Sequence, residues 1–168
     1  MRTDRHQAIA NAAVRTLAEK GARGLTHRAV DATAGLPPSS TSYYCKTRAA
    51  LLELAMDAVL SEDLEDAMRH LFADGSVDFD ALLAHFSHPS NRLRGLARFE
   101  LFLEAARNPY FRKQLADYRE GLVMLISAKM KENGIENAET ATRTGIGQFE
   151  GRMFQTLIFA PPEEKMDC

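Results

Sequence analysis

Cysteine is nearly missing from this sequence, long apolar runs are absent, and so are the short motifs that announce common enzymes. The two cysteines, Cys45 and Cys168, stand alone and match no metal or redox spacing, which points to a reducing compartment and to the cytoplasm as the expected location. No apolar run approaches the roughly 20 residues of a membrane-spanning helix. The N-terminus, MRTDRHQAIANAAV, lacks the apolar core and cleavage site of a signal peptide, and no membrane partner is expected. There is no nucleophile elbow, P-loop or HExxH. His85 and His88, or Glu100 and Glu104, have spacings that raise the idea of a metal site. A carboxylate site in a helical bundle, however, needs Glu-x-x-His on two helices, and no Glu here has a His three residues later. No catalytic residue, metal or cofactor is therefore expected, and the chain does not read as an enzyme. No segment reads as a strand, and no internal repeat is visible, so the expected fold class is all-α.

What is present is concentrated between Leu25 and Arg48, LTHRAVDATAGLPPSSTSYYCKTR. Thr26 suits an N-cap, Leu25 and Val30 can close as a hydrophobic staple, and Ala29, Val30 and Ala34 supply a short apolar face. Gly35 stops that helix. Pro37-Pro38 suits the first turn of a second helix, which continues through Ser39, Ser40, Thr41, Ser42, Tyr43 and Tyr44. This second helix is poor in Leu and Ile and would make a weak core element. Its short hydroxyl side chains instead allow close approach to base edges and phosphates, as in a recognition helix. Lys46 and Arg48 lie where a further helix begins after Thr47, and a helix N-terminus with added cations is an anion-binding arrangement.

Charge is divided along the chain. Residues 1 to 50 hold eight Lys or Arg against three acids, whereas the remainder holds thirteen bases against twenty acids. A basic head on an acidic body is the pattern of a DNA-binding part joined to one that does not bind DNA.

The sequence resembles the TetR-type transcriptional regulators. The resemblance is carried by Ile9, Ala12-Ala13 and Leu17, then Gly21 and Gly24, LTHRAV at 25 to 30, AGLPPSSTSYY at 34 to 44 and KTRAALL at 46 to 52. Ser42 stands where that family usually has an aromatic residue, and Cys45 where it usually has Phe. The resemblance implies a helix-turn-helix DNA-binding domain over residues 1–48 and an effector-binding and dimerisation domain over 49–168. Thr26, Tyr44 and Lys46 are the expected phosphate contacts, and Ser39, Ser40, Thr41 and Tyr43 the expected major-groove contacts. Arg28, Pro38 and Arg48 complete the candidate DNA-binding set.

Elsewhere the apolar periodicity predicts helices over about 4–20, 48–72, 110–132 and 137–159, with a shorter one carrying Phe79, Leu82, Leu83 and Phe86. Arg2, Thr3 and Arg5 read as a basic arm. Gly21-Ala22-Arg23-Gly24, Ala73-Asp74-Gly75-Ser76, Asn133-Gly134 and Pro161-Pro162 read as stops. Residues 92 to 107 are apolar nearly all round, which predicts a buried central helix.

Two successive helices with broad apolar faces at the end of a small domain predict a homodimer, with Leu115, Leu122, Ile126, Phe149, Met153 and Leu157 as interface candidates. Met56, Phe72, Phe79, Phe86, Phe99, Phe102, Leu103, Met124, Phe149 and Met153 mark the region in which a small-molecule effector pocket is expected. Plain core is the commoner use of Phe and Met at this spacing. Glu100 and Glu104 face the apolar side of the 92–107 helix, so each must pair with an Arg such as Arg119 or Arg152, or face the pocket and select an effector. The expected function is a repressor bound to a pseudo-palindromic operator and released by a small molecule. A helical protein-interaction adaptor is the alternative, though it leaves the basic, hydroxyl-rich head unexplained.

Overall fold

The computed structural model describes residues 2–72 and 76–159, with side chains from Arg5 onward. Among the described residues there is no strand. The elements are α1 (Arg2–Gly24), α2 (His27–Thr33), α3 (Ser40–Tyr44), α4 (Arg48–Asp66), a π-helical turn (Ala67–Leu71), α5 (Phe79–Ser87), a 3₁₀ turn (Pro89–Asn91), α6 (Arg92–Arg107), α7 (Pro109–Glu132) and α8 (Ala138–Phe159). They divide into two compact units. The first holds the described residues up to Asp63 with Leu93–Ala116, and the second holds Leu64–Arg92 with the described residues from Asp117.

In the first unit, Ile9, Ala13 and Leu17 repeat every fourth residue and are fully buried, so α1 presents one apolar stripe to the core. Leu25, Val30, Leu51, Leu52, Ala55, Met56 and Val59 join the same cluster, with Ala97, Leu101, Ala105 and Phe111. Burying each of the larger aliphatic side chains stabilises the unit by about 1.5–3 kcal/mol before entropy is counted. Regular helix in α1 ends at Gly21, whose φ of 66° is one that a side chain would oppose. Arg5 lies on this helix and not on a separate arm, because helix formation already begins at Arg2.

The peptide groups around that kink are held from both sides. Glu100 Oε2 accepts the Ala22 N–H at 3.1 Å, and the Arg48 guanidinium donates to the Ala22 carbonyl at 2.6 Å. Glu100 thus finds a backbone partner in place of Arg119 or Arg152, which pair with Glu150 and Asp80 respectively. The α6 helix is buried along one face only, contrary to the expectation of a helix buried all round. Gly95, Ala97, Arg98, Leu101 and Ala105 are buried, while Leu93 and Leu103 are exposed. Small residues let one face lie close, and the buried Arg98 guanidinium pairs with Asp63.

In the second unit, Asp78 caps α5 by accepting the N–H groups of Asp80 and Ala81, both at 2.9 Å. Leu82, Leu83 and Phe86 form the buried face of α5. Phe86 meets Phe149 of α8 edge to face, with ring centroids 5.4 Å apart. Gly145 of α8 lies so close to Phe79 that a Cβ there would be 2.4 Å from the ring. Thr142, Ile146, Phe149, Met153 and Leu157 continue the buried stripe of α8. Arg119 pairs with Glu150, and Arg143 with Glu120, tying α7 to α8. The helix expected to about residue 72 does run to Leu71, but from Ala67 it continues as a π-helical turn, where a wider turn keeps Ala67 and Leu71 both buried. The stops expected at 73–75 and at Pro161-Pro162 lie outside the described residues.

Candidate nucleic-acid interface

Asp31 determines how the α2–α3 segment is built. From the buried side of α2, its Oδ2 accepts the Ser39 N–H at 2.8 Å. Its Oδ1 accepts the Thr41 N–H at 2.7 Å and the Thr41 hydroxyl at 2.5 Å. These N–H groups open α3, whose N-cap Ser39 makes no side-chain cap bond of its own. A carboxylate on one helix therefore caps the next and fixes the spacing of the pair. Burial raises the cost of charge on Asp31. The hydrogen bonds from Thr41 and Ser39 and the nearby His27 outweigh it and hold the carboxyl below its ordinary range. His27 adds a second tie, its Nε2–H donating to the Cys45 carbonyl at 2.6 Å.

The turn between the helices follows its glycine. Gly35 has a φ of 64°, and the N–H of Leu36 reaches back to the Asp31 carbonyl at 2.9 Å, the arrangement of a glycine-ended helix. Pro37 and Pro38 precede α3 and do not form its first turn. The reason is Ser39, which takes a left-handed φ of 70° so that its N–H can meet Asp31, and helix begins only at Ser40. Thr26 is the N-cap of α2, accepting the Ala29 N–H at 3.2 Å. Thr47 does the same for Ala50 at 3.0 Å at the start of α4.

The candidate contact residues separate into two groups. Arg28, Pro38, Ser39 and Lys46 are exposed, and Tyr43 is 75% exposed. Tyr44 is half-buried, meeting Tyr43 and His6 edge to face at 5.2 and 6.3 Å. Arg48 is exposed but commits its guanidinium to Ala22, and Thr26 commits its hydroxyl to Ala29. Ser40 donates its hydroxyl to the Pro37 carbonyl at 2.7 Å. Thr41 is fully buried, and its hydroxyl belongs to Asp31. Thr41 is corrected from a groove contact to an internal anchor, because a buried hydroxyl already donating to a carboxylate has nothing to offer a base edge. A concavity of about 600 Å³ opens beside α2 and α3, lined by residues that include Arg28, Ser39 and Ser42. Sequence reasoning passed over Asp31, His27 and His6. Only Asp31 carried a signal, as one of three acids among eight bases.

The expected interface and pocket residues are placed differently. Ile126, Phe149, Met153 and Leu157 are buried within the second unit itself, so they cannot be the surface that meets a partner. Leu115 packs on the first unit's core and Leu122 is half-buried. Within the second unit, the large apolar side chains that α7 and α8 expose are Met124, Leu125, Phe154, Ile158 and Phe159. Beside them are Gly121, Gly147 and Gly151, each open where a Cβ would stand. Of the pocket candidates, Met56 is sealed in the first unit's core and Phe86 and Phe149 in the second unit's, because each completes an apolar cluster. Phe72, Phe99 and Phe102 are half-buried, and Leu103 and Met124 are exposed.

An all-helical chain whose α2 and α3 are braced as a helix-turn-helix, with a basic and aromatic outer side, has the fold of a DNA-binding transcriptional regulator. A family profile described as "Tetracyclin repressor-like, C-terminal domain" matches residues 77–167, more than half of the sequence. The chain belongs to this TetR family. Solved structures agree over nearly the whole length. The multidrug binding protein EbrR, solved with malachite green, is 28% identical, with a TM-score of 0.72 over 94% of this chain and 90% of that one. A TetR-family member from Streptomyces coelicolor is 27% identical, with a TM-score of 0.74 over 95% and 91%. A transcriptional regulator from Rhodococcus shares the fold at 17% identity, with a TM-score of 0.79 over 94% and 88%. Among curated proteins, none matches the chain by sequence. Among the described residues, no helix is long and apolar enough to cross a membrane.

Proposed function

We propose that the chain is a homodimeric repressor that reads a pseudo-palindromic operator through α3 and leaves it when a small molecule binds. The observation that carries this reading is the Asp31 brace. It spends a buried carboxylate on orienting a five-residue helix with little core of its own, while Tyr43, Arg28, Ser39 and Lys46 stay open to a ligand. Tyr43, Ser39 and Ser42 face the major groove in this reading, and Arg28, Lys46 and Tyr44 hold phosphates. Residues 1–48 act as the DNA-binding domain and 49–168 as the effector-binding and dimerisation domain.

The likeness to EbrR supports a small-molecule effector, since that protein is solved with malachite green and with ethidium. Half-buried Phe99 and Phe102, which meet edge to face within the first unit, are aromatic side chains suited to meet such a molecule. The exposed stripe of Gly147, Gly151, Phe154 and Ile158 on α8, at helical spacing, supports a two-fold partner, with Gly121, Met124 and Leu125 of α7 beside it. Selection of bound duplexes from a random pool tests the reading. Recovery of an inverted repeat whose half-sites lie on one face of the duplex is expected. Absence of salt-sensitive duplex binding would leave the adaptor reading.

A further inference from the structure

Three metal-ligating side chains converge in the second unit, away from α2 and α3 in sequence and in no motif. Asp66 closes α4, His70 lies in the π-helical turn, and His85 comes from the last turn of α5. Their donor atoms all lie within 4.8 Å of one another. Asp66 Oδ2 and His85 Nε2 are 2.9 Å apart, and the two imidazoles stack with centroids 4.1 Å apart and planes 19° from parallel. Asp66 is buried and both histidines are half-buried. Asp66 Oδ1 meets Arg69 at 3.5 Å, so the arginine sits on the carboxylate oxygen that does not face His85. Asn91 steadies His85, donating to its backbone carbonyl at 2.8 Å and lying 3.4 Å from its Nε2.

We propose that Asp66, His70 and His85 bind a borderline divalent transition-metal ion of the zinc class. Two ligands each about 2.1 Å from one ion at a right angle stand about 3 Å apart, which is the spacing Asp66 and His85 already have. The His70 and His85 rings, stacked with planes 19° from parallel, cannot both aim an in-plane lone pair at one ion, so binding requires one imidazole to swing out of the stack and bring its nitrogen to the ~3.4 Å of a tetrahedral pair. Two imidazoles and one carboxylate suit zinc, cobalt or nickel, whereas magnesium and calcium prefer oxygen throughout. Three protein ligands leave a coordination position for water or a further ligand. Asp66 and His70 are four residues apart, and the wider π turn between them sets the offset of His70; such turns recur at functional sites.

Cobalt(II) titration of the untagged full-length protein tests the site without DNA, so its failure leaves the regulator reading standing. Saturable visible absorption is expected at one ion per subunit, displaced by zinc(II) and untouched by excess magnesium. His70→Gln should weaken binding by more than the ~10–100-fold that loss of an outer-shell partner costs. His88→Gln should leave it unchanged, since His88 is exposed and bonds to Ser90. Because His85 also bonds Asp66, circular dichroism must show that His85→Gln is folded; if it melts, His70→Gln alone decides. No saturable absorption in the natural protein, or undiminished binding in His70→Gln, overturns the proposal.

Discussion

Thr41 gives both its backbone N–H and its hydroxyl to one oxygen of Asp31, ten residues earlier on the preceding helix. The contact makes α3 an extension of α2. Replacing Asp31 with Ala would strand a buried N–H and hydroxyl. We expect a loss of about 2–4 kcal/mol, from one charge-assisted bond and the orphaned donors. Thermal melting of Asp31→Ala checks this, and an unchanged midpoint would remove the brace from the account.

The same carboxylate gives a pH dependence of known sign. Its folded-state pKa is lowered, so its stabilisation is present above the unfolded pKa of about 3.9 and is lost as pH falls through the folded value. Denaturant melts between pH 5 and 2 should show stability declining in this window. The decline should be shallower in Asp31→Asn, which has no proton to take up.

Much of this was legible in the sequence. Thr26, Gly35 and the Leu25–Val30 staple marked α2, and the periodic apolar positions of α1, α7 and α8 set the helices. The brace was not, because a lone Asp in a basic segment looks the same whether it caps a neighbour ten residues away or meets water. Periodicity also told which α8 residues share a face but not which face turns inward. Phe149, Met153 and Leu157 proved to be core, and Phe154 and Ile158 to be surface. Glu100 is half-buried, and its partner is a peptide N–H that no pairing of charges in sequence could name.

Glu100→Ala should lower stability by about 1–3 kcal/mol by leaving the Ala22 N–H without its acceptor, whereas Glu100→Gln keeps an oxygen there and should cost little. Comparison of the two melting curves decides; equal, large losses would mean that the charge matters and the hydrogen bond does not.

Gly145→Ala should cost about 1–3 kcal/mol, because its methyl group would meet the Phe79 ring. Phe79→Leu in the same chain should recover part of the loss. A double-mutant cycle with no coupling would place the ring elsewhere.

Met153→Glu should unfold the second unit, since that side chain is 1% exposed. Phe154→Glu with Ile158→Glu should instead leave folded monomers. Light scattering together with circular dichroism separates these outcomes, and a folded dimer carrying both surface charges would refute the proposed two-fold face.

The reading of α3 and the start of α4 as a DNA-contacting surface is tested most directly by fluorescence anisotropy of the selected operator across a range of salt, for the natural protein and for Lys46→Ala. Lys46 is exposed and is proposed to hold one phosphate in each subunit. Its loss should weaken binding to all duplexes alike and reduce the salt slope by about 0.9 for each contact removed. Identical affinities and slopes for the two proteins would contradict the account.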